Sequence, residues 1–353
     1  MSGNFAAIVL AGGGGKRFWP LSSAEVPKQL LALGPSGQPL LTDTLDRLKP
    51  VFGSKVYSVA GRSVARKIVE LGIAPAESIF EEPEPRDSLG GILWGVANLI
   101  AKNPGKWQEI TVGVFPADHL ISGDVFGKQM GHCLSVASEG QVFCLLGIPP
   151  SRPETGYGYI EVKGSSAENA EGVLRFHEKP DLELAEQYVQ AKRFLWNSGT
   201  VFFRLDTLMR VLQDVAPDTA NTLVMLADAM PFKETAVLAK LFGQIPRQSF
   251  DHAVLEKTLL LKVVRGEFEW DDLGSWEAML RNAPPDEHGN HVRGCARLES
   301  VRGSLIVNQR DDIEVDALGL EDFIVVVSGK HVLICPRSQS QNVRLIADRA
   351  TEQ

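Results

Sequence analysis

Cysteine is scarce in this 353-residue chain: Cys133, Cys144, Cys295 and Cys335 lie far apart and form no C-x-x-C pair. That spacing argues against a zinc or disulfide framework and reads as four small buried hydrophobes in a reducing compartment. Basic excess is also missing. Lys and Arg number 36 against 44 Asp and Glu, a net charge of −8. An acidic surface of this size argues against broad nucleic-acid or anionic-membrane binding, both of which need a basic footprint, but leaves room for a local basic pocket. No window approaches the ~18 apolar residues that span a bilayer. The apolar run Ala6–Ala11 is too short for a signal peptide, and no basic segment precedes it. The expected location is the cytoplasm, with neither membrane nor nucleic acid as partner.

What is present is an ordinary globular composition, 44% hydrophobic and 23% charged, in a length that suggests two domains. Phe5–Leu10, Lys55–Ala60, Ile110–Phe115 and Gln141–Leu146 are dense in β-branched and aromatic residues and bounded by Gly, Pro or Asp. They read as buried strands. Between them Leu40–Lys49, Ser63–Leu71, Gly90–Ala101 and Asp124–Ser138 carry apolar residues at helical spacing. This alternation predicts an α/β fold, a doubly wound, mostly parallel Rossmann-like sheet. A further helix is expected after Pro180, capped by Asp181. Ala283-Pro284-Pro285-Asp286 breaks the pattern. Past it, Gly303–Val307, Asp322–Val327 and His331–Cys335 are strand-like, which predicts a catalytic domain over 1–284 and a small, mainly β domain over 285–353. No repeat is evident.

The first strand runs into Leu10-Ala11-Gly12-Gly13-Gly14-Gly15-Lys16-Arg17. Glycines after a first strand let backbone N–H groups approach phosphate closely. Arg17 and Phe18 occupy the places where a dinucleotide fingerprint would need glycine. A P-loop ending at Gly15-Lys16 would need Gly at 10 and Ser or Thr at 17. This is therefore a third kind of phosphate loop, with Leu10, Ala11, Gly12, Gly13 and Gly15 as candidate nucleotide contacts. Arg17, and Lys28 in Pro27-Lys28-Gln29, supply the cations that a triphosphate calls for.

The string LAGGGGKRFWPLSSAEVPKQLL resembles the signature loop of the bacterial mannose-1-phosphate guanylyltransferases, within the sugar-phosphate nucleotidyltransferase superfamily. The likeness continues in order through EEPEPRDSLGGI, FPADHLI, TGYGYI, FHEKPD, FLWNSGTVFF, FDHAVLEK and WDDLGSW, and more weakly through SQSQNVRLI near the end. Lys16 stands where the family's loop commonly has Thr, and Ser23 where it has Arg. Longer, bifunctional relatives append an isomerase domain for which this sequence has no counterpart. The resemblance implies transfer of a nucleotidyl group from GTP to mannose 1-phosphate, with magnesium.

The blocks assign themselves chemically. Asp118 closes the third strand-like run, where ligands of open α/β sheets bind. The family's D-x-G-S-W pattern places a partner carboxylate at Asp272 and leaves Asp271 in support. Two carboxylates near phosphates suit magnesium, which binds through one or two carboxylates plus phosphate oxygens and waters. Lys179 offers a point charge to the attacking phosphate, Glu178 and Asn197 can bind sugar hydroxyls, and Gly158 would let the sugar ring close to the backbone. Glu82 and Arg86 are candidates for the guanine donors and acceptors. His119 reads as ordering the Asp118 loop. The expected assembly is a homodimer formed through the β-rich tail. Two alternatives stand beside this reading: the same chemistry on another sugar 1-phosphate or nucleotide, and a catalytically silent relative that senses nucleotide sugar.

Overall fold

A computed structural model describes residues 4–164 and 170–350. Contacts divide the chain into two compact units. One runs up to Gly12 and then takes Leu45–Ala117 and Ile121–Trp270; the other takes Gly13–Thr44, Asp118–Leu120 and everything from Asp271 onward. The single cut expected between 284 and 285 is thus not where the contacts divide. Most of the glycine-rich loop, Asp118 and Asp272 all belong with the C-terminal unit.

The larger unit is built on a nine-stranded sheet. Its order is Ile79–Glu82, Val56–Gly61, Phe5–Leu10, Thr111–Pro116, Phe194–Arg204, Phe143–Ile148, Leu261–Arg265, Glu171–His177 and Tyr159–Val162. The first four are parallel, as is the pair formed by Leu261–Arg265 with Phe143–Ile148. Phe194–Arg204 runs antiparallel to its neighbours on both sides. The parallel sheet expected from the sequence therefore holds for the N-terminal four strands, and the sheet beyond them is mixed. Strand centres such as Ile8, Val114, Leu145 and Phe202 are wholly buried, as strands covered on both faces must be. Helices Arg62–Glu70, Asp87–Lys102 and Phe126–Gly140 follow the expected windows within a few residues. Asp181 caps helix Leu182–Ala191 as expected, its carboxylate accepting from Leu184 N–H at 2.9 Å.

The smaller unit stacks short parallel strands. Leu305–Asn308 pairs with Phe323–Ser328, and Ala296–Glu299 with Val315–Leu318. Partners such as Arg297 and Asp316, or Gln309 and Ser328, are 19 residues apart. The chain thus coils once and lies back on itself, so short parallel pairs form without a crossover helix. One superposed coil is too little to show as a repeat in the sequence. The coil packs its apolar side (Leu305, Val307, Ile324, Val326, Leu333) against Phe18, Leu21, Leu31, Trp276 and Val343. Cys133 and Cys144 are buried, while Cys295 is exposed and Cys335 is intermediate, so the reading of the cysteines as buried hydrophobes holds for the first two.

Candidate active site

A cavity of about 370 Å³ lies in the smaller unit, within the size range of small-ligand sites. The loop reaches it because Phe18 is an anchor. Its ring is buried and meets Trp276 edge-on at 5.1 Å, and Trp276 Nε1–H donates to the Trp19 carbonyl at 3.2 Å. That contact brings the Asp271–Trp276 segment to the loop despite a separation of more than 250 residues. Gly15 sits at φ +56°, and a Cβ there would fall 2.4 Å from Lys28 Cβ, so only glycine lets the loop close on Lys28.

Lys28 joins the parts. Its side chain is only 8% exposed, and its ammonium meets Asp118 Oδ2 at 2.8 Å and donates to the Asp272 carbonyl at 2.5 Å. Burial pushes the Asp118 carboxyl up, but the Lys28 ammonium, His119 and the Lys28 hydrogen bond outweigh it and hold the carboxyl below its usual range. Arg17 Nη1–H donates to the Gly274 carbonyl at 3.3 Å. Asp272 Oδ1 accepts from Gly274 N–H at 3.0 Å. Asp271 is different: it is buried, accepts from Leu273 N–H at 2.8 Å and pairs with Arg281 at 2.9 Å. Asp271 holds the turn while Asp272 lines the cavity. The four residues assigned to phosphate and metal, Arg17, Lys28, Asp118 and Asp272, thus surround one cavity. Among the described residues no group of three or more Asp, Glu, His and Cys is poised to hold a metal ion.

The other candidates lie in the larger unit. Leu10 and Ala11 are tied into the sheet, the Leu10 carbonyl accepting from Ala117 N–H at 3.2 Å and Ala11 N–H donating to Val59 at 2.9 Å, so the open loop begins at Gly12. Glu82 is 7% exposed, and a Cβ at Gly12 would lie 3.8 Å from its Oε1. Burial pushes the Glu82 carboxyl up to about 7. Arg86 has a different set of partners from the one expected. Its Nε–H donates to Glu84 Oε1 at 2.7 Å and its Nη1–H to the Ile245 carbonyl at 2.5 Å, so it braces the Glu84 turn.

Gly158, Glu178 and Asn197 converge. A Cβ at Gly158 would lie 3.0 Å from Glu178 Oε2, and Asn197 N–H donates to the Gly158 carbonyl at 2.8 Å. Lys179 pairs with Glu178 at 2.6 Å and holds φ +40°, a conformation uncommon for a side-chain-bearing residue. Sequence reasoning missed Asp251, whose Oδ1 accepts from Asn197 Nδ2–H at 2.7 Å. Burial pushes its carboxyl up, and Glu178 and Glu256 add to the rise. Asp251 opens a one-turn π-helix, Asp251–Leu255, a geometry frequent at functional sites and invisible to periodicity. Arg344 and Asp348, which also line the cavity of the smaller unit, were missed too.

The Glu82 environment fixes a pH effect. Its folded carboxyl titrates near 7 against 4.5 for an ordinary Glu, so the folded state binds the extra proton and stability falls as pH rises between those values. Relative to Glu82→Gln, the unmodified protein is expected to lose up to about 3 kcal/mol between pH 5 and pH 8. Urea unfolding at the two pH values checks this; parallel behaviour of the two proteins would show that Glu82 titrates normally.

A glycine loop, cations and carboxylates around one cavity are the features of a protein that handles a phosphorylated ligand. The comparisons with known proteins agree with that class. A family model described as "Nucleotidyl transferase" matches residues 6–288. A mannose-1-phosphate guanylyltransferase of Klebsiella pneumoniae is 32% identical over 96% of this chain and 72% of its own length. One of Sinorhizobium fredii is 30% identical over 97% of this chain and 68% of its own. Among solved structures, a Thermus thermophilus protein described as a mannose-1-phosphate geranyltransferase superposes with a TM-score of 0.87 at 30% identity, covering 99% of both chains. The chain belongs to the nucleotidyl transferase family and, within it, to the mannose-1-phosphate guanylyltransferases.

Proposed function

We propose that this enzyme forms GDP-mannose and pyrophosphate from GTP and mannose 1-phosphate. The observation that carries the reading is the cavity in which Lys28 is held between Asp118 and the Asp272 carbonyl, with Arg17 on its rim. Nucleotidyl transfer needs positioning and charge neutralisation more than covalent help from the protein. A sugar-phosphate oxygen attacks the α-phosphorus in line, a new P–O bond forms, and the bond to the β-phosphate breaks so that pyrophosphate leaves. Arg17 and Lys28 neutralise the triphosphate, and the loop backbone from Gly12 through Gly15 packs against it. Asp118 and Asp272 offer oxygen donors of the kind magnesium takes, and the ion bound there would offset charge on the phosphates. Glu82, when ionised, accepts from the guanine N1–H and N2–H; Arg86 supports that segment through Glu84. Pyrophosphate release from GTP with mannose 1-phosphate tests the reading.

In the sugar subsite Glu178, Asn197 and the Gly158 backbone serve hydroxyls, and Lys179 serves the attacking phosphate. Lys179→Ala is expected to raise KM for mannose 1-phosphate about 10-fold, the scale of one charge-assisted contact, while GTP affinity by calorimetry stays unchanged. An equal loss of GTP affinity would move Lys179 to the triphosphate.

Homodimer formation rests on an exposed apolar edge in the smaller unit, where Val332 and Ile334 alternate on strand His331–Pro336 at 57% and 62% exposure. Light scattering on the Ile334→Glu variant tests it; an unchanged mass would remove this face from the interface. No helix among the described residues is long and apolar enough to cross a membrane, and a cytoplasmic enzyme accords with nucleotide and sugar-phosphate substrates.

A further inference from the structure

The last helix, Val343–Ala350, buries Val343 in the core of the smaller unit and buries Ala347 on the same helix. Arg344 and Asp348 are four residues apart, hence neighbours on one face, and both line the phosphate cavity. The cations around this cavity are not equivalent. Lys28 is matched by Asp118 at 2.8 Å and Lys16 by Asp348 at 2.5 Å. Among the described residues Arg17 meets a neutral carbonyl, that of Gly274, and no carboxylate. The Arg344 guanidinium has no ion-pair or hydrogen-bond partner among the described residues, and its side chain is exposed at the cavity wall. Four basic side chains therefore face three carboxylates, and this local excess of positive charge belongs to a chain whose net charge is −8. An arginine fork left open beside a glycine loop suits a polyphosphate, whose oxygens accept two N–H groups side by side.

We propose that Arg344 is a polyphosphate-binding residue, so that the C-terminal helix completes the nucleotide site, and that Asp348 holds Lys16 at its edge. The proposal rests on the assignment of this cavity to the triphosphate. It deepens that reading by giving a contact to the C-terminal helix, whose start falls in the weakly matching SQSQNVRLI stretch and to which the sequence assigned no site residue. Arg344 contacts the β- and γ-phosphates and not the base, so its loss weakens every ligand that carries a polyphosphate and spares those without one.

The test is calorimetric titration of the full-length chain with GTP, with GMP and with inorganic tripolyphosphate, for the unmodified protein and for Arg344→Ala, Arg344→Lys and Arg349→Ala. Arg349 lies on the same helix outside the cavity and controls for net charge. Arg344→Ala is expected to bind GTP and tripolyphosphate about 10-fold more weakly, the scale of one charge-assisted contact. Affinity for GMP and the thermal midpoint should hold. Arg344→Lys should recover part of the loss, and Arg349→Ala should match the unmodified protein. Unchanged affinity for GTP and tripolyphosphate in Arg344→Ala would overturn the proposal, as would equal weakening by Arg349→Ala or failure of the unmodified protein to bind tripolyphosphate. If tripolyphosphate behaves as expected while another nucleoside triphosphate outcompetes GTP, the guanine assignment falls and Arg344 keeps its role.

Discussion

Replacing Lys28 with alanine is expected to lower kcat by about 10²–10³-fold, the scale on which losing one preorganised electrostatic group acts. Its ammonium both touches the Asp118 carboxylate and ties down the Asp272 carbonyl. One substitution therefore removes a phosphate-facing charge and loosens the two carboxylates that share its cavity. Stability should fall as well, by roughly 2 kcal/mol. That is below the 3–5 kcal/mol of a fully buried broken pair, because the Asp118 side chain is 32% exposed and can recover some water. Lys28→Arg is not expected to rescue activity, since the Gly15 backbone packs directly on the lysine stem. Steady-state pyrophosphate release and thermal unfolding check both parts. A folded Lys28→Ala enzyme turning over at an unchanged rate would remove Lys28 from the chemistry.

The carboxylates come next. Asp272→Asn keeps an oxygen that can accept from Gly274 N–H, so its turn should survive while one negative charge is lost. Asp118→Asn replaces the ion pair with Lys28 by at most a neutral hydrogen bond and carries a small stability cost. Each change is expected to cut kcat about 10²-fold or more. The double variant should be little worse than the worse single one, because groups acting as a unit are not additive. Asp271→Asn is the informative neighbour. Its carboxylate is buried against Arg281, so it should cost about 2 kcal/mol of stability while the folded fraction keeps most of its turnover. Should Asp271 prove essential to kcat and Asp272 dispensable, the register of this motif would be off by one.

How much was legible in the sequence differs between the layers of this protein. Strand Phe5–Leu10 and the Asp181 cap are local features, fixed by hydrophobic runs and by one side chain reaching its own helix, and they could be read directly. The direction of Phe194–Arg204 could not be. A central strand is apolar on both faces whether its neighbours run with it or against it, so composition is blind to polarity. Helices Leu205–Val215 and Pro217–Ala229 carry no chemical motif and stood outside the reading. The division into units also escaped, because it follows tertiary contacts: Phe18 on Trp276 binds the loop to a segment hundreds of residues away.

Within the candidate site, Asp118 and Asp272 were legible from strand ends and an ordered motif, and Lys28 from its place beside the loop. Its burial between the two acidic residues is a fact of packing that no spacing announces. The partners of Arg86 were not legible either. An exposed-looking Glu-Pro-Glu-Pro-Arg run gives no sign that the arginine turns inward to the Ile245 carbonyl. Asp251 stands in the FDHAVLEK block, but its tie to the site, a hydrogen bond from Asn197 across 54 residues, is a fact of packing that the block does not announce.

The central claim is that this cavity serves guanylyl transfer to mannose 1-phosphate. The most direct measurement is kcat/KM for pyrophosphate release with GTP, dTTP, UTP and ATP, each offered with mannose 1-phosphate and with glucose 1-phosphate, in the presence of magnesium. The pair GTP and mannose 1-phosphate should give the highest value, with turnover lost when magnesium is chelated. A higher kcat/KM with dTTP or UTP, or turnover untouched by chelation, would contradict it.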